Sequence, residues 1–459
     1  MRFSFNLQDR RPVIGYQEAL ELLQSRIVPL VDVESVRPAH ACGRVLAEDL
    51  FSRVDVPPVA VSLRDGYAIP TPGQGWAGSH KRQRSLRVVG MVRAGGAMPG
   101  RLRPGTAVEV TTGAPVPPGT YAVLESERCR REGDRIFFSG QTEKGIHVRA
   151  AGADVTAGKP LGRKGQRLSA GMAARLAAGG LDLIPVIRRP TVALLATGDE
   201  VALPGTPLRP GGIYSSNTVS GASWLGLYGA SALVRRVPDN AARIENAIER
   251  LGGRADLLFV SGGTAAGRKD LVVEVLDAMG WEAVFRGLRI RPGASTAFGV
   301  LGELPILCLP GSPSAHEASF LSLALPAVVR RAGWREGPFW VLRARAAVDL
   351  CNQGGRFTRF FHAALWQDTG GLLRAAPLGC GSPLDSIALG RCLIVVPERK
   401  QRIRRGGGVD VYVCSPECCS FSAAGQRQGA RWAVRVLGPW PSAAAPSPPT
   451  SFFPRENLC

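Results

Sequence analysis

The sequence has no apolar run of the roughly 18 residues that a membrane-spanning helix requires, and it does not begin with a basic segment followed by a hydrophobic one. We therefore expect a cytoplasmic protein without a membrane partner. Acidic residues are also scarce, with 37 Asp and Glu against 57 Lys and Arg, so the formal net charge is +20. The basic residues are spread along the chain without aromatic interleaving or a recognisable reading helix, and we do not expect nucleic-acid binding. The excess charge fits a small anionic ligand or an acidic partner.

Paired cysteines are lacking as well. Most of the ten cysteines stand singly, and no secretory signal supports a disulfide framework. The cluster formed by Cys414, Cys418 and Cys419 has no second His or Cys pair nearby to complete a four-ligand metal site. Reduced, unliganded thiols are the expected state, and metal binding at this cluster is the alternative.

Three apolar segments in the middle of the chain, at residues 192–196, 257–260 and 306–309, each run directly into a glycine-containing turn. Helical patterns at 240–251, 269–279 and 314–329 follow or separate them. Strands that alternate with such helices predict a doubly wound, mainly parallel α/β sheet. Its turns, 197–200, 261–267 and 310–314, should gather at the carboxyl edge, where glycine lets backbone N–H groups approach an anion. The sequence therefore predicts a phosphate or oxyanion site there.

The length of 459 residues predicts several domains. Helical spacing at residues 16–28 and 169–178 flanks a region of short β-prone runs separated by Gly and Pro. Short strands after residue 336 predict a small β-barrel, and the Pro-, Ser- and Ala-rich end predicts disorder. The predicted domains are a discontinuous first domain (1–53 and 141–182), a β domain (54–140), the α/β domain (183–332), the barrel (336–413) and a disordered tail (414–459).

Several short motifs occur in a characteristic order along the chain. They are Gly43-Arg44-Val45-Leu46-Ala47-Glu48-Asp49-Leu50, Asp55 and Pro57-Pro58 with Ser62 and Asp65-Gly66-Tyr67-Ala68, Thr112-Gly113-Ala114-Pro115, Thr197-Gly198-Asp199-Glu200, Ile213-Tyr214 with Asn217, Ser261-Gly262-Gly263 with Gly267 and Asp270, Pro292-Gly293, and Leu309-Pro310-Gly311 with Pro313. In this order they resemble the MoeA family of molybdopterin molybdenumtransferases, which includes the E domain of gephyrin. The resemblance extends over residues 16–413.

This resemblance implies a fold and a reaction. The fold is a multidomain α/β protein: a MogA-like three-layer α/β domain with a parallel-rich sheet, helical and β N-terminal domains, and a small C-terminal β-barrel. The reaction takes adenylylated molybdopterin, releases AMP and inserts molybdate at the dithiolene with the help of Mg²⁺. The family also implies a homodimer whose ligand cleft uses the α/β domain of one subunit and the β domain of its partner. A MogA-type adenylyltransferase or a molybdoenzyme is a possible partner.

The resemblance also implies site residues. The catalytic set is Asp65, Thr112, Glu200, Asp239, Asp270 and Arg291, of which Glu200 and Asp270 would hold the metal. The set that binds the molybdopterin substrate is Gly198, Ser261, Gly262, Gly263, Thr264, Gly267, Pro292, Gly293, Pro310, Gly311 and Ser312.

Several positions depart from the family pattern, mostly by losing a carboxylate or gaining a guanidinium. They are Arg64 for Met, Ser215 for Asp, Ala265 for Ser, Arg268 for an acid, Ala294 for Lys and Ser312 for Asn. Such changes favour anions and weaken cation binding. Two hypotheses follow: a working enzyme with an altered oxyanion pocket, or a non-catalytic paralogue that binds molybdopterin or molybdate as a carrier or scaffold.

Overall fold

The computed structural model describes residues 13–71, 83–140, 142–262, 271–379, 382–390 and 392–413. Of the predicted site residues, Gly263, Thr264, Gly267 and Asp270 lie outside this range, as do the predicted disordered tail and its cysteine cluster. The chain divides into two compact units, Val33–Val186 and the combination of Met1–Asp32 with Ile187–Cys459. The domain bounds given above stay a prediction.

The described helices and strands have the following bounds. The helices are α1 (Tyr16–Arg26), α2 (Ala170–Ala178), α3 (Ser216–Leu227), α4 (Ala241–Gly252), α5 (Leu271–Ala278), α6 (Pro313–Ser319), α7 (Leu325–Arg331) and α8 (Pro383–Leu389). The first strands are β1 (Val33–Val36), β2 (Leu50–Phe51), β3 (Val61–Ser62), β4 (Gly66–Pro70), β5 (Arg84–Val92), β6 (Thr106–Val110), β7 (Thr120–Glu125), β8 (Arg130–Glu132), β9 (Arg135–Phe138), β10 (Val148–Arg149), β11 (Pro160–Gly162) and β12 (Ile184–Ile187). The later strands are β13 (Thr191–Thr197), β14 (Val201–Ala202), β15 (Ile213–Tyr214), β16 (Ser231–Val237), β17 (Leu257–Ser261), β18 (Glu282–Arg286), β19 (Ile290–Arg291), β20 (Ala297–Leu301), β21 (Leu304–Leu309), β22 (Trp340–Ala346), β23 (Leu350–Cys351), β24 (Thr358–Gln367), β25 (Leu373–Pro377), β26 (Cys392–Val396), β27 (Arg402–Ile403) and β28 (Gly408–Val413).

The unit Val33–Val186 contains a six-stranded sheet in the order β7-β4-β6-β5-β9-β8. Successive residues of β4 face opposite sides, with Tyr67 and Ile69 in one apolar cluster and Ala68 in another. The predicted β-prone runs correspond to β5, β6, β7 and β9, whereas β4 is not predicted from the sequence. The same unit contains α2, which begins as expected at a capping serine: the side chain of Ser169 accepts a hydrogen bond from the Met172 amide at 3.2 Å.

The other unit contains a six-stranded sheet in the order β16-β13-β17-β21-β20-β18. The strands β16, β13, β17 and β21 run parallel, β20 pairs antiparallel with β21, and β18 pairs antiparallel with β20. Each face carries its own core, because Val192 and Leu194 belong to one apolar cluster and Ala193 and Leu195 to another. Helices α4 and α5 cover the second cluster, and α1, α3, α6 and α7 cover the first. The predicted three-layer α/β domain with a parallel-rich sheet is confirmed.

The predicted helix over 314–329 is interrupted. It forms as α6 and α7 joined by a π-helical segment, Phe320–Ala324. The segment is buried throughout, and Phe320 packs edge-to-face on Phe259 of the sheet with ring centroids 5.9 Å apart. A π-helical turn inserts an extra residue into the helical repeat.

The C-terminal strands close into a barrel in the order β24-β25-β22-β28-β26, with β26 pairing back onto β24. Closure leaves no unpaired edge among these strands. The short strand β19 joins β24 in parallel, with Arg291 opposite Arg359. In the part of the chain that the structure describes, no helix has both the length and the apolarity needed to cross a membrane.

Candidate active site

The carboxyl ends of the four parallel strands lie side by side. In the sheet register Thr197 at the end of β13 is opposite Val237 of β16, and Ser261 of β17 is opposite both Ala196 and Leu309. The turns that follow β13, β17 and β21 therefore start from one edge of the sheet, as the alternation of strands and helices predicts.

Close backbone approach explains the glycines in these turns. Gly262 has a φ of 105°, and a Cβ atom there would lie 2.6 Å from the carbonyl oxygen of Thr197. A Cβ atom on Gly311 would lie 3.6 Å from the Cα of Gly262. Only glycine fits at position 262 without displacing the backbone of β13. Of the three glycine corners, defined as Gly198, Gly262 and Gly311, the second thus lies against Thr197, the residue before the first, and against the third.

One side-chain cluster, formed by Asn217, Ser261 and His316, connects two of these corners, and the sequence indicated its first two members but not His316. The amide of Asn217 on α3 donates hydrogen bonds to Ser261 Oγ at 3.0 Å and to the Gly311 carbonyl at 2.9 Å. His316 Nδ1 on α6 lies 3.2 Å from Ser261 Oγ. Burial lowers the pKa of His316 to about 4, although a hydrogen bond to the Pro310 carbonyl acts in the opposite direction. At neutral pH this imidazole is therefore uncharged.

The acidic residues Asp199, Glu200 and Asp239 lie beside the first corner. A Cβ atom on Gly198 would lie 2.8 Å from Glu200 Oε2, and the Asp239 amide donates to Asp199 Oδ1 at 3.2 Å. Partial burial, followed by the charges of Asp199 and Glu200, raises the pKa of Asp239 above its ordinary value. Arg236 donates to the Gly198 carbonyl at 2.7 Å and partly offsets this negative charge.

The acidic side chains at the first corner can be tested for their suitability as Mg²⁺ ligands. Carboxylate oxygens are the ligands that Mg²⁺ prefers. The pKa of Asp239 stays raised by burial and by its two acidic neighbours although Arg236 partly opposes the shift, so a cation would be favoured there. Within the described residues no group of three or more His, Cys, Asp or Glu is arranged to hold a metal ion. The acid at Asp270 lies outside those residues. The donor set fits Mg²⁺ in its chemistry, with Glu200 at the corner and substrate oxygens needed to complete the shell.

Arg291, Pro292 and Gly293 form a turn against the helix that starts at the third corner. Gly293 has a φ of 113° and its Cα faces Ser319 Oγ, at the end of α6, so closely that a Cβ atom would clash. Six residues separate Pro313 from Ser319, which corresponds to about 9 Å of helix. This turn therefore lies about that distance along α6 from the glycine corners.

The sequence did not single out a second arginine, Arg359, which lies beside Arg291. The Arg291 guanidinium lies 4.2 Å from the ring centroid of Phe357, and that of Arg359 lies 4.6 Å from the ring of Phe361. Arg359 also donates to the Cys351 carbonyl at 2.7 Å. Burial and the neighbouring charge of Arg291 lower the pKa of Arg359. Like charges held this close favour an anion between or beside them.

Asp65 and Thr112 belong to the other compact unit and lie together within it. The backbone amide of Thr112 donates to Asp65 Oδ1 at 2.6 Å, and its hydroxyl donates to the same atom at 3.0 Å. These two hydrogen bonds hold the pKa of Asp65 below its ordinary value. Asp65 is exposed, so it is an ionised, oriented carboxylate on the surface of its unit.

Ser215, which stands where the family pattern has an aspartate, is buried at the start of α3. Its hydroxyl forms a 2.8 Å hydrogen bond with Thr218 Oγ1, and the Thr218 hydroxyl also lies 3.1 Å from the Ser215 carbonyl. At the position where the family has a carboxylate, this protein thus has a hydroxyl whose hydrogen bond is made locally, within the first turn of α3.

Comparison with known proteins agrees with this arrangement. Residues 14–180 match a family model described as MoeA N-terminal region (domain I and II), and residues 193–330 match one described as probable molybdopterin binding domain. The chain is 32% identical over 333 residues to the molybdopterin molybdenumtransferase of Nostoc sp., covering 71% of this chain and 76% of the relative. It is 30% identical over 381 residues to the molybdopterin molybdenumtransferase of Haemophilus influenzae, covering 81% and 91%.

A solved structure gives the same result in three dimensions. The crystal structure of the molybdopterin biosynthesis MoeA protein from Pyrococcus horikosii superposes with a TM-score of 0.74 at 28% identity, covering 88% of this chain and 100% of that one. Both the sequence and the fold thus match proteins of one family. The chain belongs to the MoeA family of molybdopterin molybdenumtransferases.

Proposed function

We propose that this protein is a molybdopterin molybdenumtransferase that takes adenylylated molybdopterin and molybdate, releases AMP and yields the molybdenum-loaded pterin. The observation that supports the proposal is the meeting of the three glycine corners at one sheet edge, beside Glu200 and Asp239. Glycine corners expose backbone N–H groups to an anion, and the adenylylated substrate carries a diphosphate.

Different groups of the protein would have different roles in binding that diphosphate. The Gly262 amide itself donates to the Leu309 carbonyl at 3.4 Å. Other backbone amides of the turns that begin at Gly262 and Gly311 would hold the bridging phosphates, with Asn217 and Ser261 fixing the two corners relative to each other. Glu200 and Asp270 would hold Mg²⁺, which would supply positive charge to offset the negative charge on the phosphate that is cleaved. Asp239, beside the first glycine corner, would be a further carboxylate available to the cation.

The arginines Arg291 and Arg359 suit the opposite, anionic end of the ligand. Both carry a guanidinium group, and each lies over a phenylalanine ring, which limits its motion before binding. Their distance along α6 from the corners suits an extended substrate rather than a single phosphate. We assign them to an oxyanion of the pterin substrate or of molybdate.

Asp65 and Thr112 are proposed to serve the molybdate end. Since Thr112 donates twice to Asp65 Oδ1, the second oxygen Oδ2 is the one left to face a ligand. We further propose a homodimer, in which these two residues serve a ligand held by the partner subunit, as the family resemblance implies.

The experiment combines the purified protein with adenylylated molybdopterin, molybdate and Mg²⁺, and transfers the product to an apo-molybdoenzyme. We expect reconstituted molybdoenzyme activity that depends on molybdate. Glu200→Ala should abolish it, whereas Glu245→Ala on the exposed face of α4 is a matched acid-removing control that should not. Absence of reconstitution with the unaltered protein would contradict the proposal.

A specific observation favours the non-catalytic alternative as a second candidate. Ser215 replaces an acid of the family pattern and is committed to Thr218, so the site has one carboxylate fewer. A carrier of this kind binds adenylylated molybdopterin and leaves it intact. Intact ligand recovered from the protein after incubation with molybdate and Mg²⁺ would support this candidate over the transferase.

A further inference from the structure

His316 is a buried titratable residue that the proposed reaction does not yet use. It is 4% exposed and lies one turn into the helix that follows the third glycine corner. Its ring stacks on Phe320 with centroids 6.0 Å apart, so a purely structural role would be to fill the core beside the π-helical segment. Its Nδ1, however, points at a polar atom of the site.

That atom is Ser261 Oγ, at 3.2 Å. Ser261 also accepts the Asn217 amide at 3.0 Å, and Asn217 reaches the Gly311 carbonyl at 2.9 Å. The three side chains therefore form a connected set of contacts from α6 through the end of β17 to α3 and then to the turn after β21. These contacts join the second and third glycine corners, in addition to the backbone pairing of β17 with β21.

We propose that His316 is a positioning residue that acts through Ser261 to fix the spacing between the corner after β17 and the corner after β21. The inference rests on the proposed function, because those corners are taken to hold the substrate diphosphate. A neutral imidazole suits this role, since it orients a hydroxyl without adding a charge that the diphosphate would have to accommodate. The residue touches Ser261 and not the reacting atoms.

Two substitutions separate positioning from core filling. His316→Asn keeps a hydrogen-bonding atom at the place of Nδ1 and loses the ring. His316→Phe keeps an aromatic ring that can stack on Phe320 and loses the hydrogen bonds to Ser261 Oγ and to the Pro310 carbonyl. Positioning predicts that the asparagine variant is the better enzyme, and core filling predicts that the phenylalanine variant is.

The measurement is steady-state AMP release by the full chain with adenylylated molybdopterin, molybdate and Mg²⁺. Loss of one hydrogen bond that orders the corners should raise KM of His316→Phe about tenfold, with kcat within about twofold of the unaltered protein. His316→Asn should keep KM within about threefold. An unchanged KM for His316→Phe, or a higher KM for His316→Asn than for His316→Phe, would overturn the proposal.

A second pair of variants tests the route through Ser261, and the first of them, Ser261→Ala alone, does not depend on the fold of His316→Phe. Ser261→Ala should raise KM by a similar factor, and adding His316→Phe to Ser261→Ala should raise it no further. Additive effects of the two changes would show that His316 acts by another route.

Failure of the proposed function gives a different result. If the unaltered protein releases no AMP, calorimetric titration with adenylylated molybdopterin still measures the dissociation constants of the unaltered protein and its variants. If the variants' dissociation constants exceed that of the unaltered protein by the factors given above for KM, the inference holds for a protein that binds the ligand without cleaving it. Equal dissociation constants for all of them overturn the inference alone, whereas an unaltered protein that does not bind overturns both.

Discussion

At the scale of single residues, the acids beside the first glycine corner give the clearest electrostatic signal. The pKa of Asp239 is raised by partial burial and then by Asp199 and Glu200. An acid whose pKa is raised in the folded state destabilises the protein increasingly as pH rises from its ordinary pKa of about 4 through the raised value. A bound cation would remove that cost.

We therefore predict opposite effects of Asp239→Asn with and without Mg²⁺. Without Mg²⁺ at neutral pH the variant should melt at the same or a slightly higher temperature, because one of three like charges is gone; solvent screening keeps this effect small. With Mg²⁺ the unaltered protein should gain more melting temperature than the variant. The check is thermal unfolding of both proteins without Mg²⁺ and with Mg²⁺ at about ten times its dissociation constant. Equal Mg²⁺ stabilisation of both proteins would contradict the prediction.

Residue patterns also show the limit of sequence reasoning at this scale. The turns that contain Glu200, Gly262 and Gly311 were predicted from the sequence because they follow apolar strands directly. His316 and Arg359 were not predicted, because each contacts the site through residues that are distant in the sequence. His316, for example, follows Ser261 by 55 residues. Nothing in the local sequence around a histidine on an apolar helix predicts such a contact.

At the scale of elements, strands with continuous apolar residues were predictable and polar ones were not. β13, β17 and β21 are buried along nearly their whole length and lie where the apolar runs predict strands. β16 is an edge strand that contains Arg235 and Arg236 and has no such run. α3 was missed for a related reason: its Ser- and Gly-rich sequence has little apolar periodicity.

The close approach of the corners predicts the outcome of a glycine substitution. Gly262→Ala should lower the free energy of unfolding by about 2–4 kcal/mol, since its φ of 105° is unfavourable for alanine and its Cβ would meet the Thr197 carbonyl. It should also weaken binding of adenylylated molybdopterin. Gly226→Ala is the control: it lies in α3, and a Cβ atom there would meet nothing within 4 Å, so the change should be neutral or slightly stabilising. Urea unfolding of both variants checks the prediction, and equal stabilities would contradict it.

A buried carboxyl between α3 and α6 gives a pH-dependent prediction. Glu317 is 3% exposed and accepts hydrogen bonds from Ser220 Oγ and Trp224 Nε1, each at 2.6 Å. Burial raises the pKa of Glu317, and these two hydrogen bonds only partly oppose it. Its contribution to stability is therefore greatest below the ordinary Glu pKa and declines as pH rises through the raised value.

Glu317→Gln should remove that decline. Glutamine can accept from Trp224 and donate to Ser220, so the variant should match or exceed the unaltered protein in stability at pH 8 and gain less on acidification toward pH 5. Glu317→Ala should cost about 2–3 kcal/mol at both pH values, because it leaves two half-buried donors, Ser220 Oγ and Trp224 Nε1, without their acceptor. Urea unfolding at the two pH values measures all three proteins. A larger pH dependence in Glu317→Gln than in the unaltered protein would contradict this account.

At the scale of the whole molecule, the order of motifs was sufficient to predict the family, the three-layer α/β domain and the closed barrel. Motif order carries this information because each motif is a turn or corner that a given fold requires at a given place. Composition alone would have left the net charge of +20 open to several partners. Arg291 and Arg359 supply two of those positive charges, and the proposed function gives them an anionic substrate to hold.

The proposed homodimer predicts that two inactive variants can complement each other. Asp65→Ala and Glu200→Ala should each lose AMP release as pure proteins. Mixed by unfolding and refolding together, they should recover up to about a quarter of the unaltered activity, because random pairing gives half mixed dimers with one intact site each. A mixture that stays inactive although light scattering shows dimers would contradict the shared arrangement, and a monomeric mass would contradict the dimer itself.

The central claim is that the glycine corners and Glu200 hold a diphosphate for cleavage, and single-turnover AMP release tests it most directly. With protein in excess over adenylylated molybdopterin, and with molybdate and Mg²⁺ present, we predict about one AMP per substrate molecule from the unaltered protein and at least about a hundredfold slower release from Glu200→Ala. Bound substrate that stays intact on the unaltered protein, or equal rates for the two proteins, would contradict the account.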